Sequence, residues 1–160
     1  MLKLTLVTVG KIKESFFREA IAEYSKRISR FAHLQVLEAA DEKTPDGASA
    51  AEEDKIRETE GKRILQKIPD GAYVITLEIE GRQMDSVSLS RLIDTREREG
   101  KSHLVFVIGG SLGLSPDVIR RADYHLSFGP MTFPHQLMRV MLMEQLYRAF
   151  KIQAGQPYHK

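Results

Sequence analysis

The chain contains no cysteine among its 160 residues. That excludes thiol chemistry and a disulfide framework, and it leaves no argument for an oxidising compartment. No stretch approaches the roughly 18 consecutive apolar residues that a membrane span requires. The start, Met1-Leu2-Lys3-Leu4-Thr5-Leu6-Val7-Thr8-Val9-Gly10, has no cationic leader, long apolar segment or cleavage site. It reads instead as an alternating strand that ends in glycine. Metal-ligand spacing is absent throughout, and so is a serine–histidine–acid arrangement. The glycines at 109, 110 and 113 are not followed by Gly-Lys-Ser/Thr, so they are not a Walker phosphate loop. Their spacing also differs from the dinucleotide fingerprint. Together these absences lead us to expect a soluble, cytoplasmic protein with no metal and no membrane attachment.

The length is that of one domain, 1–160. A domain of this size buries roughly 70% of the surface its unfolded chain exposes, so it needs no staple. Net charge is only +2 but unevenly spread. Residues 1–31 hold seven Lys/Arg against three Glu, and 131–160 hold four against one, whereas 41–60 hold three basic against eight acidic side chains. If the two ends fold together, one face is basic and suits a phosphate backbone. An ordinary solvated surface is the plain alternative.

Apolar, β-branched runs at 2–9, 33–39, 73–79, 104–108 and 124–128 predict strands, and helical patterns lie between them. In 14–31, Phe16, Phe17, Ala20, Ile21, Tyr24, Ile28 and Phe31 form one apolar stripe. The segment near 50–68 opens acidic and closes basic, which complements a helix dipole. Further helices are expected from Ser86 to about Glu99, after Ser115-Pro116-Asp117, and over about 134–151, the last with Pro134 at its first position and Thr132 or Phe133 at its cap. Strands alternating with helices predict an α/β domain with a mostly parallel sheet and helices on both faces.

Several segments bear on chemistry. Gly109-Gly110-Ser111-Leu112-Gly113 directly follows a buried strand, where glycine permits close backbone approach to a ligand; a plain strand-to-helix turn would read the same. Ser127 to His135 is a second tight loop that runs into a helix, whose first amides are free for a ligand. His135 itself reads as a packed helix-start residue more readily than as a catalyst. In the last helix Val140, Leu142, Met143, Leu146, Tyr147 and Phe150 form a wide apolar arc around Arg139, with Leu137 and Met141 opposite. Such a helix lies either at a subunit interface or deep in the core. Glu144 and Arg148 are spaced to pair, as a structural link or to present the guanidinium to phosphate or base. The tail Gln156-Pro157-Tyr158-His159-Lys160 is either a frayed end or a ring, an imidazole and a cation for RNA.

From Val105 to Lys160 these pieces resemble the SPOUT class of RNA methyltransferases, and within it the bacterial 23S rRNA (pseudouridine-N3) methyltransferase H family. The resemblance is carried by Phe106-Val107-Ile108-Gly109-Gly110-Ser111-x-Gly113-Leu114, Leu126-Ser127-x-x-x-x-Thr132-x-Pro134-His135, Glu144-Gln145-Leu146-Tyr147-Arg148-Ala149 and Pro157-Tyr158-His159. Leu6-Val7-x-Val9-Gly10-Lys11 and Val74-Ile75-Thr76-Leu77-Glu78 extend it over the whole chain. Gly129 is a departure, since the resemblance leads us to expect serine there, but glycine keeps the backbone groups.

The resemblance implies a trefoil knot and cofactor loops over about 104–150, with a tail at 151–160. Periodicity alone would not suggest a knot, since knots are nearly absent from folds. It also implies S-adenosylmethionine bound against Leu77, Gly109 and the loop Phe128, Gly129, Pro130, Met131, Thr132 and Phe133. The implied partners are a second copy, packed as a homodimer through the knot region, and 23S rRNA in the 70S ribosome. In the implied mechanism His159 handles the N3 proton, Arg148 holds base or phosphate, Tyr158 stacks and Glu144 orients Arg148, with the tail acting in cis or across the dimer. A non-catalytic ribosome-binding factor with the same fold is the alternative, and it would fail to bind S-adenosylmethionine. A flavodoxin-like protein would instead bind a flavin or nucleotide through the Gly109 loop.

Overall fold

The computed structural model describes residues 1–160. The elements alternate throughout: β1 (Leu2–Val9), α1 (Ser15–Ile28), β2 (Ala32–Ala39), α2 (Ala50–Leu65), β3 (Tyr73–Gln83), α3 (Ser86–Arg98), β4 (His103–Val107), α4 (Pro116–Arg121), β5 (Tyr124–Ser127) and α5 (His135–Gln153). The five strands form one sheet in the order β2-β1-β4-β3-β5, and every adjacent pair is parallel. All carboxyl ends therefore meet at one edge, where crossover sheets of this kind place their ligands.

β1 and β4 are central and buried on both faces, so their apolar residues run almost continuously. Alternation still sorts them by side. Leu2, Leu4, Leu6, Leu104 and Phe106 pack with Ile28 of α1, Leu89 and Ile93 of α3, and Leu142, Met143 and Leu146 of α5. Val7, Val9, Val105 and Val107 point the other way, to Ile64 of α2 and Val118 of α4. Helices thus cover both faces, as the alternation of elements predicts.

Four details differ from the sequence reading. β3 runs to Gln83 rather than 79, because β5 pairs with it again at Arg82 and Gln83 after a register shift. Gly81 permits that approach: a Cβ there would lie 2.8 Å from the His125 carbonyl oxygen. Pro134 has ψ 137° and sits at the N-cap, not the first helical position, and neither Thr132 nor Phe133 caps α5. Phe16 leaves the apolar stripe of α1 and is 62% exposed, its ring tilted against that of Phe17 with centroids 4.5 Å apart. Two adjacent helix positions point 100° apart, so Phe17 is half-buried while Phe16 faces solvent. Arg139 is fully buried on α5, where it donates to Glu38 Oε2 at 2.8 Å and to the Gly10 carbonyl at 3.3 Å. It ties the last helix to the ends of β1 and β2.

The helix starts follow local chemistry. Ser49 and Glu52 form a reciprocal capping box at α2. Replacing Ser49 with Ala is expected to cost about 1 kcal/mol of stability, read as a lower denaturant midpoint with an unchanged slope. An unmoved midpoint would show that the first turn of α2 contributes nothing to the folded state.

Candidate functional site

The carboxyl edge of the sheet opens into a cleft of about 950 Å³. Its walls come from the end of β3, the 108–114 loop after β4, the 128–134 loop after β5, and the first turn of α5. Leu77, Gly109, Phe128, Gly129, Met131, Thr132 and Phe133 all line it. Of the residues expected there, Pro130 alone is not on the wall; it is exposed at the outer side of the turn.

The two loops are shaped for backbone recognition. Gly109 packs against the other limb of its own loop, so closely that a Cβ would lie 2.9 Å from the Gly113 carbonyl carbon. Gly113 has φ +82° and Gly129 φ +114°, conformations that side chains disfavour. The amides of Met131, Thr132 and Phe133 donate no hydrogen bond within the chain. No side chain caps the start of α5 either. The cleft thus carries several unpaired N–H groups beside apolar walls from Leu77, Ile108, Leu114, Phe128 and Met138, an arrangement suited to a small ligand with an apolar body and polar edges. Burial, together with the nearby Arg139 cation, lowers the basicity of the His135 imidazole below its ordinary range. His135 therefore lines the cleft as a neutral ring, closer to the packed helix-start role than to a charged one.

The helix α2 braces the glycine loop from behind. Arg57 donates to the Leu112 carbonyl at 3.3 Å. The buried Glu60 carboxylate lies under Gly110 and accepts the Glu42 amide at 3.0 Å. Burial raises its pKa, and the Glu42 amide only partly offsets that. Nothing in the sequence singled out Glu60, because its partners are 18 and 50 residues away.

A second hollow of about 620 Å³ lies between α1, α3, α5 and the tail, and the two cavities share Phe128. At its rim the structure gathers all four residues assigned to chemistry. Glu144 accepts from Arg148 at 2.6 and 3.5 Å, and from the Tyr158 hydroxyl at 3.0 Å. The Arg148 guanidinium lies 4.7 Å from the Tyr158 ring centroid, and its Nη1 is 3.2 Å from His159 Nδ1. Tyr158 also meets Tyr147 edge-on at 4.9 Å. The tail is therefore docked on its own α5 rather than frayed. Burial and the bond to Glu144 push the Tyr158 phenol up to about 12, so it stays a donor near neutrality. The same carboxylate raises the Arg148 pKa.

α5 is covered mostly from within the chain, with Leu142, Met143, Leu146, Ala149 and Phe150 buried. Leu137, Val140 and Met141 keep partial exposure. No three His, Cys, Asp or Glu side chains are grouped to hold a metal ion. No helix is long and apolar enough to cross a membrane.

Comparison with known proteins places this geometry among relatives. The family model described as "Predicted SPOUT methyltransferase" matches residues 2–159. The chain is 57% identical over 159 residues to ribosomal RNA large subunit methyltransferase H of Bifidobacterium adolescentis, covering 99% of this chain and 100% of that one. The fold is similar to that of a methylase family protein from Haemophilus influenzae, with TM-score 0.56 and 15% identity over 100% of this chain and 72% of that one. It is also similar to a Legionella pneumophila methyltransferase solved with bound cofactor SAM, with TM-score 0.50 and 12% identity over 92% of this chain and 66% of that one.

Proposed function

The chain belongs to the SPOUT methyltransferase family, and from that premise we propose that it transfers a methyl group from S-adenosylmethionine to N3 of a pseudouridine in 23S rRNA within the assembled 70S ribosome. The observation that carries the reading is the cleft at the carboxyl edge, with its glycine loop and its unpaired amides, beside a hollow that shares Phe128 as wall and is lined by Glu144 and His159. The full-length likeness to a protein named for large-subunit rRNA methylation supports the substrate class.

The residues present fit the cofactor. The amides of Met131, Thr132 and Phe133 would hold its polar edges, Leu77 and Phe128 its apolar faces, and Gly109 and Gly129 would let backbone approach where a side chain would intrude. When bound, S-adenosylmethionine supplies an electrophilic methyl group on a sulfonium. The chain's own work is then alignment of that carbon with N3, and removal of the N3 proton. His159 is the proton-handling group in this reading, with Arg148 Nη1 3.2 Å from its Nδ1. Arg148 grips base or phosphate with a fork held by Glu144. Tyr158 presents its ring, with its hydroxyl fixed on Glu144.

A chain of 160 residues offers little surface for reading a large RNA, so a second copy and the shape of the ribosome supply specificity. The homodimer packs through the knot region at about 104–150, and the partly exposed Leu137, Val140 and Met141 on α5 suit such a contact. The tail completes a site in its own subunit or the partner's. The protein works in the cytoplasm, where its substrate is.

The test is transfer of labelled methyl from S-adenosylmethionine to 70S ribosomes from a strain lacking the gene, with separated subunits and free rRNA as comparisons. One label per ribosome, mapped to a pseudouridine in 23S rRNA, is the expected result. Cofactor binding without incorporation would make the substrate wrong. Neither binding nor incorporation would overturn the methyltransferase reading itself.

A further inference from the structure

The geometry points to Glu78 as the charge-selecting residue of the cleft: its carboxylate, held by Thr76 and His125, favours a cationic sulfonium ligand over the corresponding neutral thioether. The inference rests on the cofactor reading above, and it assigns a role to a group that reading does not use. The two ligands, S-adenosylmethionine and S-adenosylhomocysteine, differ by one methyl and one positive charge. A cleft can separate them only by space at sulfur or by charge nearby.

The charged residues on the wall are Glu78 and Glu80, with no Lys or Arg among the lining residues. Glu80 is exposed, so water and salt screen it. The Glu78 side chain is only 19% exposed. Its Oε2 accepts from the fully buried Thr76 hydroxyl at 2.5 Å and is paired with Nδ1 of His125 on β5. Its Oε1 takes no hydrogen bond from the chain. One oxygen is therefore anchored and the other is free for a ligand. An anchored carboxylate of this kind stabilises positive charge without having to reorganise. The imidazole of His135 on the same wall adds no opposing charge near neutrality, since burial and Arg139 lower its basicity.

Thr76 and His125 are positioning residues, since they act only through Glu78. In functional terms, the cleft would hold its donor and release its spent product on the basis of charge, so Glu78 contributes to turnover as well as binding.

The experiment is calorimetric titration of the full chain with S-adenosylmethionine and with S-adenosylhomocysteine. Native protein is compared with Glu78→Gln, Glu78→Asp and His125→Ala, each checked for an unchanged unfolding midpoint. Glu78→Gln should lower the affinity ratio of sulfonium to thioether by about tenfold, chiefly by weakening the sulfonium ligand. Glu78→Asp should restore most of the ratio, and His125→Ala should reduce it by about two- to threefold. An unchanged ratio in Glu78→Gln, whether both ligands weaken equally or neither does, would overturn the inference and leave the cofactor reading standing. If native protein binds neither ligand, the cofactor reading falls and takes this inference with it.

Discussion

Arg148→Ala is expected to slow methyl transfer by about 100- to 1,000-fold at saturating cofactor and ribosomes, while cofactor affinity stays within about twofold of native. The guanidinium holds three groups at once: the Glu144 carboxylate, the Tyr158 ring and His159 Nδ1. Its loss leaves Glu144 bonded to Tyr158 and Gln145 but without its cation. His159 loses the partner that orients it. None of these groups lines the cleft at the carboxyl edge, which shares only Phe128 with the neighbouring hollow, so binding and chemistry should separate. Arg148→Lys should recover only part of the rate, because an ammonium keeps the charge but cannot reproduce the two-point grip on Glu144. Stability should fall by about 1 kcal/mol: the pair is partly buried, with side chains 24% and 20% exposed, but Glu144 keeps its bonds from Tyr158 and Gln145. Single-turnover kinetics with a parallel cofactor titration decides the matter. An equal loss in cofactor affinity and rate would place Arg148 in the cofactor site instead.

Gly109→Ala should weaken cofactor binding by about 100-fold while the chain still folds. The added Cβ would meet the Gly113 carbonyl carbon at 2.9 Å, its oxygen at 3.0 Å and Leu114 Cδ2 at 3.0 Å. Two of those three atoms are backbone, so the loop must open rather than a side chain turn aside. The neighbouring glycine provides the contrast. At Gly110 a Cβ would meet Glu60 Oε1 at 3.2 Å and Val9 Cγ1 at 3.3 Å. A carboxylate end can shift by a few tenths of an ångström, so Gly110→Ala should cost several-fold less affinity. Calorimetry on both variants checks the order, and equal losses would mean that the loop responds to any side chain and that its closure at Gly113 is not what shapes the cleft.

The regular elements were legible because their signals are local. The strand runs, the acidic opening of α2 with its Ser49 cap, and the Ser115-Pro116 start of α4 depend on residues within one turn or one pleat of each other. The two glycine-bearing loops that line the cleft stood out through their motif string, which repeats a family pattern; glycine after a buried strand would have read the same in a plain turn. One miss was local, Pro134 standing at the N-cap of α5 instead of one position later; the others were not. The extra length of β3 comes from pairing with β5, some 45 residues on. Phe16 and Phe17 look equivalent in the sequence, yet the fold leaves one exposed and the other half-buried. Arg139 looks like a flaw in an apolar arc until Glu38, 101 residues away, is found opposite it.

By itself the sequence determined an α/β chain of alternating parallel strands and helices, two glycine-bearing loops after late strands, and membership of a methyltransferase family. These follow from hydrophobic period, turn chemistry and motif order, all readable along the chain. Only the tertiary structure decided that Tyr158 and His159 join the Glu144–Arg148 pair, that Glu60 and Arg57 brace the glycine loop from α2, and that Glu78 is anchored by Thr76 and His125 in the cleft wall. Each of those depends on the strand order β2-β1-β4-β3-β5 or on the return of the tail to α5. Crossovers bring distant segments to one sheet edge, and a charged side chain acquires its role only when the fold supplies its partner.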